Sequence, residues 1–237
     1  MKNMNAIVAA GVVAAVSASA SAAVVVGWTM PTAFPTGAGN VPTGTTYLPP
    51  GPNGAGVADQ GLNFAGSQLT AVKALPASTY TSPAGNGSQY SFSSNNWSPN
   101  DYYQISFSTT GFADALTLSW DQARSSTGPA PFKVSMSVNG GSFSDLFTYS
   151  VLQSGGGGAP GTWSSTTYNS LYTNTLSLGT AASNAASVVI RFVNTNATAS
   201  SASGSNRIDN IFVTEVPAPG ALALLGVAGL VGSRRRR

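Results

Sequence analysis

The chain has no cysteine and no histidine, and Glu215 is its only glutamate. Without cysteine there is no disulfide to staple the fold and no thiolate nucleophile. Without histidine, a Ser-His-Asp triad and the ordinary zinc ligand sets are excluded as well. Glycoside hydrolysis by two carboxylates would have to draw on Asp59, Asp101, Asp114, Asp121, Asp145 and Asp209, and nothing in their spacing selects a pair. These absences read as a non-enzymatic protein. Charged residues make up only 7% of the chain, so stability has to come from apolar burial. No long 3.6-residue stripe is present, which argues against a helical fold, and no internal repeat of 20 to 50 residues points to a propeller or solenoid.

The scarce charge is unevenly placed. The formal net charge is +3, but Lys2 and the four arginines at 234–237 supply half of the ten basic residues. All seven acids lie between Asp59 and Glu215, so the chain without its ends carries five basic against seven acidic groups, a net charge near −2. Lys73, Arg124, Lys133, Arg191 and Arg207 are scattered along the sequence. A nucleic-acid footprint needs clustered cations, so no nucleic-acid partner is expected.

Both ends have the pattern of address labels. Residues 1–22 run from Lys2 through an apolar stretch at 6–16 to small residues at Ala18, Ala20 and Ala22, as in a secretory signal peptide cut after Ala22. At the other end, Val216, Pro217, Ala218 and Pro219 precede an apolar run at 220–232, which is followed by Ser233, Arg234, Arg235, Arg236 and Arg237. As a helix that run would be about 20 Å long against a hydrocarbon core of roughly 30 Å, so it would span only with help from snorkelling arginines. The arginines favour the cytoplasmic side and leave the body outside.

This tail resembles the PEP-CTERM sorting signal of bacterial surface proteins. The resemblance implies a short C-terminal hydrophobic helix that holds the precursor in the membrane, recognition and removal by an exosortase-type transpeptidase, and delivery to the cell surface, outer membrane or extracellular matrix. Ala218 stands where the family's namesake glutamate would be.

Between the labels, the sequence divides into a Pro/Gly-rich segment at 23–60, with one strand at 24–28 followed by loops, and a β-rich body at 61–215. Strands are expected at 62–65, 69–74, 102–108, 115–122, 132–138, 143–149, 175–178, 188–194 and 208–214. In Leu116-Thr117-Leu118-Ser119-Trp120 apolar and polar side chains alternate, so one face is buried. Asn139-Gly140 suits a type I′ turn joining 132–138 to 143–149, because both central residues need positive φ. Short antiparallel hairpins with long crossovers predict an all-β, antiparallel jelly-roll β-sandwich. The segments at 95–107, 116–129, 139–143 and 207–213 resemble jelly-roll ectodomains of PEP-CTERM proteins, which are similar in plan to lectin-like and galactose-binding-like sandwiches.

Candidate binding residues follow from side-chain chemistry. Trp163, after the glycine run at 155–161, is the leading candidate to stack on a sugar ring, joined by Trp97 and Tyr103; alternation turns Tyr102 and Tyr103 to opposite faces. Asp121 and Arg124 either hold sugar hydroxyls together or form a salt bridge at a strand corner. Asp209 either pairs with Arg207 or Arg191 or, with Asp101 and Asp121, offers oxygens to Ca²⁺. The expected function is a surface or biofilm-matrix protein that adheres to polysaccharide. The other reading is a dedicated carbohydrate-binding module with a defined, Ca²⁺-dependent site.

Overall fold

The computed structural model describes residues 22–35, 42–155, 157–199 and 201–216. The expected signal peptide and sorting tail lie outside them except for Ala22 and Val216. Among the described residues no helix is long and apolar enough to cross a membrane. The one helical segment described is a 3-10 turn at Ser170–Tyr172.

Among the described residues, twelve strands form two antiparallel sheets: β1 (Ala23–Trp28), β2 (Thr46–Tyr47), β3 (Gln68–Val72), β4 (Tyr80–Thr81), β5 (Phe92–Ser94), β6 (Tyr102–Phe107), β7 (Ala115–Arg124), β8 (Pro131–Val138), β9 (Ser144–Ser150), β10 (Thr173–Gly179), β11 (Val188–Asn194) and β12 (Asn206–Val216). The first sheet is ordered β10-β7-β12-β5-β4, with β1 also paired to β12; the second is ordered β2-β3-β6-β11-β8-β9. From β5 to β8 the chain changes sheet at every step, and again from β10 to β12, which gives the jelly-roll sandwich its crossovers.

Alternation decides which face is buried. Tyr103, Ile105 and Phe107 from β6, Leu116, Leu118 and Trp120 from β7, and Ile190 and Phe192 from β11 meet between the sheets. Their neighbours Tyr102, Gln104, Thr117, Ser119 and Arg191 remain partly exposed on the outer faces. Trp97 packs edge-on against both Tyr103 and Phe132, with ring centroids 5.0 and 5.4 Å apart. The Lys73 ammonium lies 2.9 Å from the centre of the Trp97 ring and 3.8 Å from Asp101, and burial holds its pKa well below the usual lysine value.

The 23–60 segment belongs to the same sandwich, since β1 runs antiparallel to β12 from Ala23↔Glu215 to Trp28↔Ile211. Residues 62–65, expected as a strand, are turn and irregular loop instead. Gly61 at φ 97° turns the chain against β1, and Leu62 N and Asn63 N donate to Val24 O and Val25 O. Leu62 is left 74% exposed, so that short apolar run has no sheet face to bury against. The Asn139-Gly140 turn forms with φ values of 49° and 75°, closed by Gly141 N donating to Val138 O at 3.0 Å.

Candidate functional site

The outer face of the second sheet carries a cleft of about 540 Å³. Two cross-strand rows build its floor. Val193 of β11 is the register partner of Tyr102 on one side and Lys133 on the other. One step along, Arg191 pairs with Gln104 and Ser135, and Ser135 faces Asp145 of β9. That last pairing depends on a register shift between Val134 and Ser135, which pair with Phe147 and Asp145 respectively; such irregularities re-aim side chains.

Arg191 organises the cleft. Its guanidinium carbon lies 4.0 Å from the Phe143 ring centroid and 4.5 Å from that of Tyr102. Nε donates to Gln104 Oε1 at 2.8 Å, fixing the plane of the group. Beside it, Lys133 Nζ donates to Asp145 Oδ2 at 2.8 Å and Ser135 Oγ to Asp145 Oδ1 at 2.9 Å. The hydrogen bond from Lys133, then that from Ser135, lowers the Asp145 pKa. The result is an open platform of two rings and a guanidinium, bordered by one ion pair. Phe143 is 39% exposed and Tyr102 partly exposed, so both rings remain accessible from solvent.

The residues proposed from sequence lie elsewhere. Trp97 and Tyr103 are fully buried, which removes them as stacking platforms. Tyr103 OH donates to Asn206 O at 2.6 Å, and Trp97 Nε1 donates to Ser94 O at 2.9 Å. Trp163 is half-buried: its Nε1 donates to Ala84 O at 2.7 Å, its ring packs edge-on against Tyr172 at 5.2 Å, and the Arg207 guanidinium lies 5.7 Å from it. Asp121 and Arg124 form no pair, because residues three apart on a strand point to opposite faces. Arg124 donates instead to the carbonyls of Val151, Ser125 and Ser126. Asp209 pairs with neither arginine; its Oδ2 accepts from Asn86 N and Ser88 Oγ.

The calcium candidates do not converge. Asp101 accepts from Ala74 N and Ser98 N beside Lys73, whereas Asp121 and Asp209 face one another across β7 and β12. Donor groups from Thr173, Asn86 and Asn210 occupy both oxygens of Asp121. No group of three or more acidic, His or Cys residues able to hold a metal ion occurs among the described residues. A cation site needs converging acceptor oxygens, whereas N–H and O–H donors meet these carboxylates, so the residues present do not fit Ca²⁺.

Single-strand reading missed Phe143, Arg191, Lys133 and Asp145, and put Tyr103 forward for stacking in place of its neighbour Tyr102. Alternation turns Tyr102 and Arg191 outward, but only the β6-β11-β8-β9 register brings them together.

No family model matches the chain, and no curated protein does. Among solved structures, the carbohydrate-binding module TmCBM27, described for mannan recognition, is 11% identical with a TM-score of 0.42, covering 84% of this chain and 100% of that one. The K1 cleaved adhesin domain of Lys-gingipain from Porphyromonas gingivalis is 11% identical with a TM-score of 0.42, covering 81% and 98%. TmCBM61, solved with β-1,4-galactotriose, is 9% identical with a TM-score of 0.38, covering 65% and 91%. Likeness of this order does not extend to a ligand or a site.

Proposed function

We propose that this is an exported, non-enzymatic surface or biofilm-matrix protein that adheres to polysaccharide through the Tyr102–Arg191–Phe143 cleft. One observation carries the binding half: an exposed sheet face presents two accessible rings around a guanidinium fixed on the side of Gln104. A pyranose offers an apolar C–H face and a rim of hydroxyls, and rings beside charged hydrogen-bonding groups complement both. A defined cleft on the sheet also favours the dedicated carbohydrate-binding module over a purely passive surface, without requiring calcium. The export half rests on sequence. The signal-peptide pattern delivers the chain across the membrane, and the Val216–Pro217–Ala218–Pro219 tail with its arginines is the exosortase substrate.

Affinity electrophoresis of the full chain in gels containing galactan, mannan, xylan or alginate tests the binding half. Retardation by at least one polymer is expected, unaffected by EDTA. Tyr102→Ala and Phe143→Ala should each weaken it roughly tenfold, about 1.4 kcal/mol, in the range measured for aromatic contacts. No retardation by any polymer, or wild-type retardation of both variants, would reject the reading.

A further inference from the structure

The first sheet has a built depression of its own. It measures about 320 Å³ and lies on the outer face, between β10, β7 and β12. Its geometry begins with a bulge. β12 pairs with β7 at Asp209↔Asp121 and resumes at Phe212↔Ser119, so Asn210 and Ile211 together oppose Trp120. Ile211 enters the core, and Asn210, at φ 45°, turns outward. Asn210 Nδ2 donates to Asp121 Oδ2 at 2.8 Å and to Asn86 O at 3.0 Å, leaving the side-chain oxygen open to a ligand. Asn86 is itself buried and donates to the same Asp121 oxygen at 3.0 Å.

On this anchored floor stands Tyr168, 56% exposed, with its hydroxyl 2.6 Å from Thr173 Oγ1, which donates to Asp121 Oδ1. Gly87 lets the neighbouring loop close against it. A Cβ there would lie 2.9 Å from Tyr168 N, and Gly87 has φ 71°. Ser119 lines the same depression and its hydroxyl has no partner among the described residues.

We propose that this depression is a second glycan site, for a neutral pyranose unit, and that the protein therefore joins two polysaccharide chains. The proposal rests on the polysaccharide-binding reading of the first cleft. No lysine or arginine lines the depression, and Asp121 is buried with its oxygens already satisfied. What it offers a ligand is the exposed Tyr168 ring with the partly buried Phe212 beside it, an amide oxygen and a hydroxyl, a set matched to uncharged hydroxyls and unsuited to an anion. The two sites occupy the opposite outer faces of the sandwich, so a single glycan strand bound in one does not reach the other.

Calorimetry of the full chain with galacto-, manno- and xylohexaose, together with turbidity on mixing with the parent polysaccharides, provides the test. Two equivalents per chain and polymer cross-linking are expected. The Tyr168→Ala/Ser119→Ala double variant should retain one equivalent and lose the turbidity, as should Tyr102→Ala/Phe143→Ala through the other face. Ser119→Ala alone, which deletes one unpartnered hydroxyl, keeps the test available should the double variant not fold; weakened binding of one equivalent is then expected. A single equivalent that survives the Tyr168 and Ser119 changes but disappears with Tyr102 and Phe143 would overturn the second site and leave the first standing. A single equivalent that needs Tyr168 alone would overturn the first cleft and the cross-linking. Absence of binding to all three sugars would overturn the second site.

Discussion

Tyr103 and Tyr102 are neighbours on β6 with opposite surroundings, the first fully buried in the core and the second partly exposed on the outer face. Alternation required Tyr102 and Tyr103 to face opposite ways, and they do, but it did not say which one enters the core. Packing decides: Tyr103 fills the space between Phe92 and Trp97, while Tyr102 shares the outer face with Arg191. The acids were harder still, since Asp209 lies in a loop-covered pocket that no local pattern foretells. Burial raises its pKa to about 7, and Oδ1 has no hydrogen-bond partner among the described residues. The folded state therefore holds the proton more tightly than the unfolded one, whose carboxyl titrates near 3.9. The associated stability is fully present below about pH 4 and is lost as pH rises towards 7, a change on the order of 4 kcal/mol. Asp121, also raised by burial, adds in the same direction. Thermal melts between pH 4 and pH 8 should show a falling midpoint for the wild type and a flatter profile for Asp209→Asn. Parallel profiles would count against a protonated Asp209.

At the level of elements, clean alternation made strands legible. The expected strand at 188–194 coincides with β11, and those at 102–108, 115–122 and 132–138 differ from β6, β7 and β8 by one or two residues. What escaped were the two- and three-residue strands β2, β4 and β5, too short to show a period of two. Phe92, Ser93 and Ser94 of β5 are all buried, so no exposed position alternates with the core ones. The 62–65 error has a related cause: a glycine turn, invisible as periodicity, holds the chain across β1. That turn yields a prediction. Gly61 has φ 97°, and a Cβ on it would lie 2.5 Å from Val25 O. Gly61→Ala should destabilise the fold by roughly 2 kcal/mol or more through strain and overlap, read as a lower urea midpoint. Gly66→Ala is a control with positive φ but no nearby atoms, and should cost less.

For the whole molecule, the fold class followed from composition and hairpin signals, whereas the sites emerged only from long-range register. The reading of 1–22 and 216–237 as address labels rests on the order and composition of those residues alone. Replacing Arg234, Arg235, Arg236 and Arg237 with neutral residues should send unprocessed precursor to the medium, as measured by mass spectrometry of the secreted chain; normal retention and trimming would contradict the sorting reading. Beyond location, the arrangement of β12 has a mechanical consequence. A load drawn from Val216 runs along eleven residues that pair with β7 on one side and with β1 and β5 on the other. Tension along a strand flanked in this way shears many backbone hydrogen bonds together, where a peripheral strand pulled crosswise would unzip one bond at a time. A protein tethered at that end would resist tugging by its environment without needing a covalent crosslink.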